Sequence, residues 1–304
     1  MTSRLEVELS GVRLKNPVIP ASGTFGFGEE FAQLYDLNLL GALAFKGTTR
    51  EARYGNPLPR IAECGRYGMI NAVGLQNPGV DHVLQKELPR LRTLFQGPVI
   101  ANVSGFSLDD YAYTCEQLDK ADGVSILEVN ISCPNVHNGG MAFGTDPKAA
   151  ADVTHTVKAV THKPVYMKLS PNVTDIAAIA RACEKAGADG ICLVNTMLGM
   201  RIDIHRRKPV IANRYGGYSG AGIFPIALRM VNQVAKATQL PIIGCGGIES
   251  AEDVVEMMMA GATAVEIGAA NLTQPLACKN IIDRLPELFN ELKINDINDI
   301  IGIV

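Results

Sequence analysis

The stretch PVYMKLSPNVTDIAAIARACEKAGADGICLVN (164–195) decides the fold. It opens on a short apolar run, PVYMKL (164–169), that is continuous rather than alternating, as expected of a parallel strand buried on both faces. Thr174 then opens a helical pattern over 175–186. KAGADG (185–190) ends that helix with a glycine in the left-handed position, and GICLVN (190–195) begins the next apolar run. Strand, helix, glycine cap and strand therefore fit into 32 residues.

Working outward, the same unit recurs. Apolar runs bounded by Gly, Pro or Asn occupy 17–22, 42–47, 98–103, 125–131, 164–169, 190–195, 241–245 and 264–268. Helical patterns fill the gaps. Ser107 with Asp110 opens 108–120, Asp146 before Pro147 opens 147–160, and Ser250 with Asp253 opens 251–260. MAGATA (259–264) repeats the glycine ending. Eight such units predict an α/β protein of the (β/α)8 barrel type. A doubly wound open sheet is the competitor, and the lack of G-x-G-x-x-G after the first strand disfavours it. Two connections, 48–80 after strand two and 196–222 after strand six, are too long for plain βα loops. Both lie on the carboxyl side of the strands, where barrel active sites are built. No linker or low-complexity tract divides the chain, so residues 1–304 read as one domain.

Composition narrows the function. Of 304 residues, 47% are apolar and 19% charged, with 30 glycines, no tryptophan and a net charge of −3. This excludes a disordered chain, and without a basic run it argues against nucleic acid as a partner. No apolar stretch approaches the ~20 residues that span a bilayer. The amino terminus, interrupted by Glu6 and Glu8, has no signal-like apolar region. Seven cysteines at irregular spacing, without a CxxC pair, read as reduced thiols of a cytoplasmic protein.

The strand ends carry the chemistry. Ser22, Lys46, Asn102, Asn130, Lys168 and Asn195 close six successive strands, and polar ends on apolar strands converge on a barrel mouth. Any single Asn or Ser there is as well explained by turn capping; six together are not. IIGCGGI (242–248) and VEIGAAN (265–271) instead put small residues at the tips of strands seven and eight, and SGAGI (219–223) adds a glycine-rich approach. Such tips let backbone N–H groups cradle a phosphate. Lys46 and Lys168 with three amides suit a planar, carbonyl-rich ligand, since a lysine at the carbonyl edge of a flavin stabilises its anionic reduced ring. A Schiff-base lysine of the aldolase kind remains open on these residues alone. NISCPN (130–135) tips the balance towards the flavin. Cys133, between Ser132 and Pro134 and before the glycine-rich VHNGGMAFGTDP (136–147), is placed as a loop thiol able to act as a base. Cys115, Cys183, Cys192, Cys245 and Cys278 lie inside apolar patterns and read as inert. His137 and His205 read as ordinary loop residues.

PVIPASGTFG (17–26), FKGTT (45–49), NAVGLQNPG (71–79), VNISCPN (129–135), KLSPN (168–172), NTMLGM (195–200) and GCGGI (244–248) together resemble the class 1 dihydroorotate dehydrogenases over essentially the whole chain. NGGMAFGTDP (138–147) and GMRIDIHRRKP (199–209) look more like the NAD-linked subclass than the fumarate-linked homodimeric one. ECGRYG (63–68) departs from the family pattern and leaves the catalytic set untouched. The resemblance implies FMN in the barrel and oxidation of dihydroorotate to orotate in pyrimidine biosynthesis, with Cys133 as the base. It implies flavin contacts from Ser22, Lys46, Gly47, Asn102, Asn130, Lys168 and Val194, with the phosphate on Gly222, Gly246, Gly247, Gly268 and Ala269. Substrate would meet Lys46, Asn71, Ala72, Val73, Gly74, Leu75, Asn130, Asn195 and Thr196. It further implies a partner subunit with FAD and a [2Fe-2S] cluster passing electrons to NAD, in a heterotetramer. The fumarate-linked homodimer, and another FMN barrel acting on a dihydropyrimidine, remain the alternatives. No metal site is expected.

Overall fold

A computed structural model describes residues 4–132 and 143–304. Eight parallel strands form one sheet that curls into a nearly closed barrel. They are β1 (Val18–Pro20), β2 (Leu43–Thr48), β3 (Val99–Val103), β4 (Ile126–Asn130), β5 (Val165–Lys168), β6 (Gly190–Leu193), β7 (Ile242–Cys245) and β8 (Ala264–Ile267). Each falls within one of the eight apolar runs except β2, which extends one residue past 42–47 to Thr48. β3 through β8 are buried at every residue, which is why their sequences do not alternate. Neighbours pair in parallel from β2 through β8 and back to β1, and Gly41 N donates to Val18 O where β1 meets β2.

Helices cover the outside, and their starts follow the side-chain chemistry of capping. Ser107, Asp146 and Ser250 each accept a hydrogen bond from the backbone N–H three residues on. Ser250 and Asp253 form a full reciprocal box, whereas Asp110 reaches past Ser107 to the N–H of Phe106. One start differs from the sequence reading. The helix Ile176–Lys185 is capped by Asp175, not Thr174, because Asp175 is the residue held extended, with its carboxylate accepting from Ala178 N. Gly187 and Gly261 take the left-handed conformation (φ +97° and +122°) that ends the helices before β6 and β8.

An amino-terminal hairpin, Val7–Leu9 with Val12–Leu14, closes the bottom of the barrel. Leu9 and Leu14 are fully buried there, and Ser10 Oγ donates to Asp189 O just ahead of β6. At the other end the two long connections meet. Ile61–Glu63 and Met69–Asn71 from the first, and Met197–Met200 and Tyr215–Ser219 from the second, build one antiparallel sheet. This sheet walls one side of the mouth. Among the described residues, no helix is long and apolar enough to cross a membrane.

Candidate active site

The carboxyl ends of the strands and the added sheet enclose a cavity of about 250 Å3. Ser22, Lys46, Gly47, Asn102, Asn130, Lys168, Val194, Asn195 and Thr196 line it from the strand ends, and Asn71 through Leu75 line it from the first long connection. Gly246, Gly247, Gly268 and Ala269 line it beyond β7 and β8. Gly222 does not; it borders a neighbouring cavity with Cys64, while Gly220 and Ile223 face the main one. Cys133 and His137 lie outside the described residues. His205 sits in a hairpin turn, where its N–H donates to Asp203 Oδ1.

The asparagines hold one another in place. Asn130 Oδ1 accepts from Ser132 N at 3.2 Å, from Ser132 Oγ at 2.5 Å and from Asn195 Nδ2 at 3.1 Å. Asn195 Nδ2 also donates to Ser132 Oγ, and Asn195 Oδ1 accepts from Thr196 N. Ser132, which the strand-end reading passed over, is thus the joint between strand-end amides of β4 and β6. Gly47 is required by close approach, since a Cβ there would stand 2.8 Å from Asn102 Oδ1.

The two lysines differ. The Lys46 ammonium has no hydrogen-bond or ion-pair partner among the described residues, and burial followed by the nearby Arg60 charge lowers its pKa. An unpartnered cation at a cavity wall is a ready counter-charge for an anion. Lys168 is buried against Glu128 of β4 and Glu266 of β8, at 3.1 Å and 2.5 Å. Burial works against its charge, and the acidic groups facing it, the Cys192 thiol and the Glu128 and Glu266 carboxyls, more than offset that. Its pKa therefore stands well above the ordinary lysine value. Both glutamates escaped the strand-end reading because they lie within the runs SILEVNI and AVEIG. The signal was present, since an acid inside a buried apolar strand requires a partner. Cys245 is buried as expected but also lines the cavity, and burial followed by the Lys168, Glu266 and Glu128 charges leaves its thiol pushed up to about 12.

The glycine tips form a cradle. Among the described residues the backbone N–H groups of Gly246, Gly247, Gly268 and Ala269 have no hydrogen-bond partner. Gly246 and Gly247 take positive φ (+131° and +76°), and a Cβ on Gly268 would approach nothing closer than Ala21 Cβ at 3.8 Å. Free amides around an open space fit a phosphate, and the lysines and asparagines beside them fit a carbonyl-rich ring. The donor set is compatible with FMN.

Comparison with known proteins agrees with this geometry. Residues 4–289 match the family model for dihydroorotate dehydrogenase. The chain is 55% identical over 299 residues to the dihydroorotate dehydrogenase B (NAD(+)) catalytic subunit of Shouchella clausii, covering 98% of each chain. It is 56% identical over 300 residues to the protein of the same name from Bacillus cytotoxicus, covering 99% of this chain and 96% of that one. The corresponding protein of Halalkalibacterium halodurans is 55% identical over 300 residues, with 99% and 98% covered.

Proposed function

The chain belongs to the dihydroorotate dehydrogenase family, and from that premise we propose that it oxidises (S)-dihydroorotate to orotate in pyrimidine biosynthesis. The observation that carries the reading is Lys46, an unpartnered ammonium beside Asn71–Leu75 and facing a cavity ringed by asparagines. Orotate is a planar anion with imide edges. Lys46 balances its carboxylate, while Asn71, Asn130, Asn195 and Thr196 offer both donors and acceptors to those edges. The Asn130–Ser132–Asn195 network keeps the amides pre-oriented, so little ordering is left to pay on binding.

FMN, when bound, supplies the acceptor for the hydride that leaves C6 of the substrate. Gly246, Gly247, Gly268 and Ala269 would hold its phosphate through backbone N–H groups, whereas Gly222 borders the neighbouring cavity. Ser22, Gly47, Asn102, Asn130 and Val194, which line the cavity, would bound the ring, and Lys168 would offer it an ammonium. Cys133 takes the C5 proton. In the sequence it follows Ser132 directly, three residues beyond the end of β4.

Electrons leave through a partner subunit bearing FAD and a [2Fe-2S] cluster and pass to NAD, in a cytoplasmic heterotetramer of two such chains with two partners. Supporting this division, the relatives are named as catalytic subunits, and the chain carries neither a cysteine cluster at iron–sulfur spacing nor a dinucleotide fingerprint. The test is an anaerobic visible spectrum of the purified chain before and after dihydroorotate. Flavin absorbance that bleaches is expected. A flavin spectrum indifferent to dihydroorotate refutes the substrate, and no flavin after adding FMN refutes the cofactor.

A further inference from the structure

The floor of the cavity holds three ionisable groups where a barrel core normally packs hydrocarbon. Lys168 reaches the cavity, whereas Glu128 and Glu266 lie behind it, fully buried and not themselves part of the lining. Lys168 Nζ stands 3.1 and 3.3 Å from the two oxygens of Glu128 and 2.5 Å from Glu266 Oε2. Asn102 Nδ2 also donates to Glu128 Oε1. Among the described residues Glu266 Oε1 has no hydrogen-bond partner, although it is sealed from water. Beyond these, the ionisable groups facing the cluster among the described residues are the thiols of Cys192 on β6 and Cys245 on β7.

One ammonium stands against two carboxyls. If all three are charged, the cluster carries a net negative charge with no counter-ion, which a dry core tolerates poorly. A proton on one carboxyl brings the cluster to neutrality. It also turns the orphaned Glu266 Oε1 into a donor, and an oxygen of Glu128, an oxygen of Glu266 and Cys192 Sγ lie within 4.8 Å of one another.

We propose that Glu128 and Glu266 share a single proton beneath the cavity, and that this pair is a positioning device that fixes Lys168 as an ammonium on a floor of zero net charge. Glu128 is the ionised member, held by Lys168 and Asn102, and Glu266 carries the proton. In line with this, burial and then the Glu128 charge push the Glu266 carboxyl up to about 8. The inference rests on the function proposed above only for the identity of the ring that Lys168 faces. For that ring, the shared proton means a cation is presented without a second negative charge behind it. Loss of the proton in alkali would then lower the reduction potential of a flavin held there.

Infrared spectroscopy of the full chain at neutral pH, in water and in heavy water, reads a protonated carboxyl directly and does not need flavin. The wild type is expected to show such a band. It should vanish in Glu266→Gln and also in Glu128→Gln, because a lone carboxyl beside Lys168 ionises. No band in the wild type overturns the proposal, as does a band that survives in either variant. Where Glu128→Gln fails to fold, the band's loss as the wild type is titrated into alkali and its absence from Glu266→Gln decide the same question. The second readout is the midpoint potential of the bound flavin by anaerobic spectroelectrochemistry. Glu266→Gln should keep the neutral-pH value and lose an alkaline break in the potential–pH profile. A positive shift at neutral pH would mean that two ionised carboxylates lie behind Lys168 and would overturn the proposal. A chain that binds no flavin refutes the function above, and the infrared result still decides this one.

Discussion

Replacing Glu266 by Gln should make the ligand-free protein more stable, and more so as pH rises. Glutamate ordinarily titrates at 4.5, and in the fold burial followed by the Glu128 charge raises Glu266 to about 8. Between those values the folded chain keeps a proton that the unfolded chain gives up. The stability linked to this proton is intact below pH 4.5 and is lost progressively as pH rises towards 8. At pH 7 the interval is about 2.5 pH units, and at ~1.4 kcal/mol per unit folding is opposed by about 3 kcal/mol. Gln has the shape of the protonated acid and never gives up a proton, so the variant should recover most of that. For a chain of 304 residues, unfolding entropy of ~2.1 cal/mol/K per residue converts 3 kcal/mol into a rise of about 5 °C. Thermal melts of both flavin-free proteins from pH 5 to pH 8 read the effect, as a gap that starts small and widens. A variant that melts below the wild type at pH 7 would refute the reasoning. It would mean that Glu266 is an ionised partner of Lys168, whose removal from a buried pair costs ~3–5 kcal/mol.

Lys46→Met should act in the same direction on stability for a different reason. Its lowered pKa means that the unfolded chain holds the proton more tightly, so the penalty is present at neutral pH, fades as pH rises through the lowered value towards the ordinary lysine value of 10.5, and is gone above it. The melting gain should close over that range, while orotate binding by calorimetry weakens about 10-fold or more; unchanged orotate affinity removes Lys46 from the substrate site. Gly268→Val fills open space, since the first added carbon meets only Ala21 Cβ at 3.8 Å. Flavin-free stability should stay within about 0.5 kcal/mol of wild type, and FMN retention measured by gel filtration should fall; retained FMN argues against the cradle. Cys133→Ala should keep FMN and slow its anaerobic reduction by dihydroorotate ~100-fold or more, and undiminished reduction excludes the thiol as the base.

The architecture was legible because the pattern that encodes it is local. A parallel barrel strand is buried on both faces, so PVIANV, SILEVNI and PIIGC announce themselves as unbroken apolar runs. Ser107, Asp146 and Ser250 announce the helices between them through capping that spans three residues. The choice between Thr174 and Asp175 could not be made this way, because both residues cap well and only the extended backbone at Asp175 decides. The strand-end residues were legible for a related reason. Eight strands that run in one direction bring their carboxyl ends together, so Ser22, Lys46, Asn102, Asn130, Lys168 and Asn195 had to converge.

What the sequence could not determine lies between elements far apart along the chain. Glu128 and Glu266 stand 40 and 98 positions from Lys168, and they meet because barrel tilt and closure turn their side chains onto the same interior point. The sheet over the mouth joins Met69–Asn71 to Tyr215–Ser219, a pairing written in neither connection alone. Gly222 faces the neighbouring cavity, and Cys245 the main one, for the same cause. Local periodicity fixes which residues are buried and where each strand ends. Which buried groups touch, and hence where a proton or a charge resides, is set only when the barrel closes and excludes water from between them.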